Sequence, residues 1–333
     1  MSQRTEERLP DGSPTTGPGA PTRRLTRRER KRRDNAEERT RIKEPRSDRI
    51  FLFFVYLLLA VFLAIVALPL IYILASSFSS PEAVSAGRVT LWPVDFSLRG
   101  YEAVLGNSQV IQGYVNSLIY TVAGTVVSVV LTIAIAYPLS RRTFAGRNVF
   151  MSVILFTMLF TGGLVPTYLV VQSLGMLDTR WALIIPQAVG VWQVIIARTY
   201  FRTAIPDELE EAAQLDGCSD LRFLWSIVIP LAKPMIAVVA LMYAILQWNS
   251  YFDALIYLKS PDLFPLQLVL RNILILNTYS GGGQDASVVM ERQQLADLLK
   301  YSLIVVASVP VLVIYPFVAR FFTKGIMIGA VKG

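Results

Sequence analysis

The chain has 333 residues, 53% of them hydrophobic, with 32 Lys and Arg against 24 Asp and Glu, one cysteine and no histidine. A mean hydropathy of +0.49 excludes an ordinary soluble domain and points to an all-α polytopic membrane protein. A lone Cys218 and the absence of histidine exclude an internal disulfide, a His-based catalytic triad and a zinc site.

Residues 1–49 hold 15 Lys and Arg against 9 acids, so most of the net charge of +8 sits in this tail. It has almost no apolar residues and is expected to be a disordered, basic cytoplasmic segment that fixes orientation. Contact of the arginines at 23–33 with anionic lipid headgroups is the alternative role; a nucleic-acid partner is not expected. Residues 50–78 form the first predicted span, exceeding the roughly 20 residues that a helix needs to cross a bilayer. Residues 79–112 read as an external loop and 113–139 as span two, followed at once by Arg141, Arg142 and Arg147. Span three covers 149–174, interrupted by Gly162-Gly163 and Pro166. Asp178 and Arg180 mark a tight turn before span four, 181–200, which contains Pro186. After a polar stretch come span five at 235–257, a long polar loop at 259–300, span six at 301–321 and a tail at 323–333. Basic residues concentrate in the short segments between spans two and three and between four and five, and after span six. The positive-inside rule then puts both termini and the polar stretch after span four in the cytoplasm.

That polar stretch, residues 207–230, breaks the apolar second half of the chain. Asp207 with Glu210 three residues later has the form of a capping box that opens a helix near 208–215. Asp216-Gly217 stops the helix, because glycine accepts the left-handed conformation at a helix C-terminus. Ser219 can cap a second short helix at 221–229, ended by Pro230 and Pro234. The product is a cytoplasmic helix-turn-helix with small residues and acids at its bend.

The order Glu211-Ala212-Ala213, Gly217, Ile227, Pro230 resembles the coupling motif of permease subunits of bacterial ABC importers, with Ile229 where the family has leucine. Gln247-Trp248-Asn249, Tyr251 to Tyr257, Pro265-Leu266-Gln267 and Leu270-Arg271 look like the fifth span and following loop of carbohydrate-importer permeases. The ending from Tyr315-Pro316-Phe317 to Gly333 looks like the oligosaccharide branch, similar to the maltose-importer permease family. The resemblance implies a type I importer permease fold with six transmembrane helices and a permease core at 112–322. It implies a cytoplasmic (inner) membrane location, a second homologous permease, two ATPase subunits and an extracytoplasmic sugar-binding protein. ATP and Mg are expected on the ATPase partner, with no cofactor or metal in this chain. The resemblance assigns ATPase coupling to Glu210, Glu211, Ala212, Ala213, Asp216, Gly217, Ile227 and Pro230.

No phosphate loop, HExxH or nucleophile elbow is present, and Gly281-Gly282-Gly283 lacks the Lys-Ser/Thr of a nucleotide site, so no catalytic residue is expected. The predicted spans carry no charged residue away from their ends, which disfavours an ion-coupled carrier and favours an external energy source. Uncharged polar and aromatic residues do occur at membrane depth. Asn116, Gln187, Gln193, Tyr243, Gln247, Trp248 and Asn249 are candidates for a substrate pathway, since sugar hydroxyls pair with amides and sugar rings stack on aromatic faces. The same residues suit interhelical hydrogen bonding and interfacial anchoring. A permease for another solute, or a membrane receptor or scaffold that recruits partners through its basic tail, are the alternative readings.

Overall fold

The structure is a computed structural model and describes residues 46–279, 294 and 296–316. Most of the basic tail, the Gly281–Gly283 run and the predicted tail at 323–333 lie outside these residues. The chain divides into two compact units, Met1–Ile65 and Val66–Gly333. In the first, the described part is the beginning of α1 (Arg46–Ser77). The description below concerns the second.

All regular elements among the described residues are helical. After α1 come α2 (Pro81–Ser85), α3 (Arg99–Gly106) and α4 (Ser108–Ser140). Next are α5 (Arg147–Leu159), α6 (Leu164–Ser173), α7 (Trp181–Ile184) and α8 (Val191–Ala204). The polar stretch holds α9 (Asp207–Leu215) and α10 (Asp220–Phe223), the latter continuing through a π-helical turn, Leu224–Val228, to Leu231. Then follow α11 (Lys233–Trp248), α12 (Phe252–Tyr257), α13 (Leu266–Tyr279) and α14 (Ala296–Pro316). Among the described residues, three helices, α1, α4 and α14, are each long and apolar enough to cross a bilayer.

Three sequence expectations need correction. Span four is not one helix: the chain leaves helical form between Ile184 and Val191, around Pro186, whose missing N–H and ring break the ladder. The freed Gly190 N–H is recovered by donation to the Tyr243 hydroxyl at 2.9 Å. Span three, by contrast, is split where its interruption was expected, α5 and α6 meeting at 115° across the Gly162-Gly163 break. The loop at 259–300 contains α13, whose apolar face packs Leu266, Val269 and Leu270 against Val110 and Trp248. The external loop at 79–112 also holds α2 and α3, and α4 starts five residues earlier than the predicted span.

α4 is the central helix and packs against α11, α8 and α13. Its polarity is inverted relative to a water-soluble helix. Tyr120, Gly124, Ser128, Thr132 and Ala136, spaced by four, are buried, while Val122, Val126 and Val130 are exposed. Small and hydroxyl-bearing residues at the seam allow close helix approach, and the β-branched valines suit a lipid-facing surface.

Candidate functional site

The α9–α10 hairpin is built by local rules. The chain leaves α9 through Gly217 at φ 74°, in the left-handed region, and the Gly217 and Cys218 amides donate to the Gln214 and Ala213 carbonyls at 3.0 and 2.9 Å. This paired closure satisfies the last carbonyls of α9 and turns the chain by its backbone alone. The capping box expected at its start does not form. Pro206 holds the cap position, Asp207 is already helical, and its side chain caps nothing. Both acids are drawn away by arginines at the end of α4. Asp207 Oδ2 pairs with Arg142 Nε at 3.0 Å, and Glu210 Oε2 pairs with Arg141 Nη1 at 3.1 Å.

These two ion pairs differ in kind. Arg142 and Asp207 are exposed enough that water and salt screen the attraction. Arg141 is 4% exposed, and its guanidinium lies over the rings of Tyr137 and Phe223, at 4.8 and 5.9 Å from their centroids. Among the described residues its Nε and Nη2 have no hydrogen-bond partner. The α4 terminus is further held by Arg198 Nε donating to the Leu139 carbonyl at 2.9 Å and Arg147 Nη1 donating to the Arg141 carbonyl at 3.2 Å. A cleft of about 460 Å³ beside the pair is lined by Tyr137, Pro138, Arg141, Phe144, Glu210 and Leu224.

The hairpin is therefore two-faced. Phe223 and Val228 are buried, and Leu209, Ala213, Cys218 and Ile227 pack on the same core as Phe201 and Ile205 of the α8 end. The Tyr200 hydroxyl donates to the Leu231 carbonyl at 3.1 Å and ties the second arm to α8. Glu211, Ala212, Asp216, Gly217 and Pro230 are exposed. Around them stand Leu215, 90% exposed, with Leu221 and Trp225 also largely bare. Of the residues expected to couple, Glu210, Ala213 and Ile227 face the protein, and the others face outward.

The membrane-depth candidates also separate. The Asn116 amide donates to the carbonyls of Asp262 and Phe264 at 2.7 and 3.1 Å. Tyr243 accepts from Gly190 and shares a 2.7 Å hydrogen bond with Thr132. Trp248 Nε1 donates to the Ala307 carbonyl at 3.1 Å, and Asn249 donates to the Ile245 carbonyl at 2.8 Å. Gln193 is buried against Gly190. Asn116, Tyr243 and Trp248 each hold one element to another, and Asn249 finishes a helix. Gln247 is buried with its carbonyl oxygen unpaired. Gln187 alone of the seven is both exposed and paired to a side chain: its amide donates to the Asp253 carboxylate, bringing the α7–α8 break against the start of α12.

Sequence reading missed Arg141, Arg142, Asp253 and the part that Asp178 plays. The two arginines had registered only as topological charge. Asp178, at φ 56°, accepts from the Lys259 and Ser260 amides, each at 2.8 Å, and from the Ser260 hydroxyl at 2.6 Å. These donors, the Ser260 hydroxyl first, hold its carboxyl below the usual carboxylate value. An acid followed by a turn is the signal for such a clamp, but its partner lies 82 residues away.

No protein-family model matches the chain. Protein LplC of Bacillus subtilis (strain 168) is 42% identical over 272 residues, covering 81% of this chain and 90% of LplC. The polygalacturonan/rhamnogalacturonan transport system permease protein YtcP of the same organism is 41% identical over 287 residues, covering 86% of this chain and 99% of YtcP. Among solved structures, a chain of a bacterial ABC transporter involved in the import of the acidic polysaccharide alginate superposes with a TM-score of 0.78 at 37% identity, covering 84% of this chain and 99% of that one.

Proposed function

The chain belongs to the permease subunits of carbohydrate ABC transporters, multi-pass membrane proteins, and on that premise we propose that it forms one half of the translocation pathway of an ATP-driven oligosaccharide importer. It sits in the cytoplasmic membrane with both termini inside. Six crossings are assigned to α1, α4, the α5–α6 pair, α7–α8, α11–α12 and α14. The other half of the pathway is a second, homologous permease. An extracytoplasmic binding protein delivers the sugar, and two ATPase subunits bind ATP and Mg. No residue of this chain is assigned a catalytic role.

The observation that carries this reading is the α9–α10 hairpin. A protein that buries Phe223 and Val228 yet leaves Leu215, Leu221 and Trp225 bare beside Glu211 presents a mixed apolar and acidic surface. Bulky apolar residues ringed by charge mark protein docking surfaces. The hairpin is assigned as the knob that seats in the ATPase, with Glu211, Ala212, Asp216, Gly217 and Pro230 in contact. Glu210, Ala213 and Ile227 shape it from behind. For substrate, the exposed Gln187–Asp253 pair is the preferred contact. A carboxylate in a predicted span is costly in lipid and is retained facing a polar cavity or a partner. YtcP and the solved alginate transporter are named for sugar polymers, which supports the oligosaccharide assignment.

The test pairs growth of a deletion strain on a panel of oligosaccharides with pull-down of the ATPase by the tagged chain. Complementation by wild type on at least one oligosaccharide, and loss of both growth and pull-down in Glu211→Lys at unchanged protein level, is the expected result. Undiminished pull-down by Glu211→Lys and by Trp225→Asp together would remove the hairpin from the ATPase interface.

A further inference from the structure

α4 is clamped at both ends. At its inner end the buried Arg141–Glu210 pair fastens it to the hairpin. At its outer end, Asn116 and Tyr120 donate to the carbonyls of Asp262, Phe264 and Leu263, and Ser117 accepts from the Leu266 amide at 2.8 Å. These contacts hold the segment that leads into α13. Between Ser117 and Arg141 the helix is unbroken, so the two clamps lie roughly 36 Å apart at about 1.5 Å rise per residue.

We propose that Arg141 is the positioning residue through which hairpin movement enters α4 and reaches the 262–266 segment on the opposite face of the membrane. The inference rests on the assignment of the hairpin to the ATPase. Three features single out Arg141. Its guanidinium is wedged over two rings and paired with α9, so it has little freedom to turn independently of either element. The parallel Arg142–Asp207 link is exposed and weak by comparison. The adjoining cleft gives the hairpin room to tilt, and Arg141's Nε and Nη2 are free to take a new acceptor as it does so. Helix packing transmits a displacement only where two discrete arrangements exist, and the unused donors of Arg141 are what a second arrangement would engage.

The experiment uses the whole importer, purified with its ATPase subunits, with Cys218 replaced by serine and a single reporter introduced as Asp262→Cys. The rate of maleimide modification at 262 is compared before and after trapping with ATP and vanadate. Wild type should show a severalfold change on trapping. Arg141→Gln should still co-purify the ATPase but lose the change, Arg141→Lys should retain most of it, and the exchange Arg141→Glu with Glu210→Arg should recover part. An undiminished response in Arg141→Gln overturns the proposal, as does loss of ATPase co-purification in that variant, which would make Arg141 only a fold element of the hairpin. A wild-type complex that holds its ATPase but shows no response overturns the transmission while leaving the docking assignment standing. Failure of the wild-type chain to retain the ATPase refutes the docking assignment and the proposal with it.

Discussion

Gly124 lies in the seam between α4 and α11, against Gln247, and adding one methyl there has a calculable consequence. A Cβ on Gly124 would stand 2.7 Å from Cδ, 2.8 Å from Nε2 and 2.9 Å from Cγ of Gln247. All three are inside the distance that real Cβ contacts adopt, and Cγ is not the free end of the side chain, so rotating the amide cannot relieve the clash. Gln247 is 2% exposed and cannot swing out. Its amide makes a single long hydrogen bond, 3.5 Å to the Leu183 carbonyl, so shifting it forfeits little polar energy. The cost is therefore overpacking, about 1–3 kcal/mol for one extra methyl in a filled interior. Gln247→Ala alone also destabilises, by removing buried packing atoms. The double variant should be more stable than the sum of the singles, by about 1 kcal/mol or more, because the new methyl enters the space that the amide left. Equilibrium unfolding of the four purified proteins in mixed detergent micelles measures the cycle. Additive single effects, or a neutral Gly124→Ala, would refute the close-approach reading of this seam.

Three other outcomes follow from the same structure. At Gly217 nothing lies within 4 Å of an added Cβ, so only backbone strain of about 1–2 kcal/mol opposes a side chain; Gly217→Asn should keep ATPase pull-down and Gly217→Val should lose it, and equal retention by both removes the left-handed turn from the argument. Asp178 is held below its ordinary value of 3.8 by the Ser260 hydroxyl and then by the Ser260 and Lys259 amides. A depressed carboxylate stabilises above its unfolded value and loses that contribution as pH falls through its lower folded value. Protease cleavage near 258–260 should therefore be low and flat from neutral pH down to about 4, rise below that, and be high throughout in Asp178→Ala; a flat profile in wild type below 4 contradicts the clamp. Finally, in cells lacking Cys218, a cysteine at Leu215 should escape an impermeant thiol reagent applied outside while one at Asp95 reacts, and the reverse pattern would invert the assigned orientation.

Hydropathy locates the membrane-spanning material of this chain well because a helix in lipid must be apolar over a fixed length. It is silent on continuity. Pro186 shows where the ladder can break, but the Gly190 N–H that the break frees finds the Tyr243 hydroxyl, a tertiary event with no signature in either segment. α13 was hidden for the opposite reason: LQLVLRNILILN is apolar but shorter than a membrane crossing and is set inside a long polar loop, so nothing marked it as a packed element, although Leu266, Val269 and Leu270 are buried. The turn of the hairpin was legible, since Gly217 acts through the backbone and is read from a single position; the end of its second arm was not, because the helix expected to stop at Pro230 runs through it to Leu231 and bends at Ala232.

The division of labour within the hairpin was not legible, and the reason bears on where its function lies. Asp207, Glu208, Glu210 and Glu211 are four acids in five residues, and composition ranks them equally. Only the arrival of α4 separates them. Arg141 and Arg142 take Glu210 and Asp207, which lie one helical turn apart, and Glu211 is left exposed. Replacing Glu210 then strands a buried guanidinium, a loss on the order of 3–5 kcal/mol for an isolated interior charge, whereas replacing Glu211 leaves the fold intact and changes only what a partner meets. The same reasoning separates the membrane-depth amides. Asn116 is used up in holding the chain together, so its removal speaks to stability. Gln187, exposed and paired with the half-buried Asp253, is the proposed substrate contact, so its replacement is expected to change solute preference without unfolding. In a permease the residues that the fold does not consume are the ones available to sugar and to the motor, and identifying them requires knowing first which polar groups the fold has already paired.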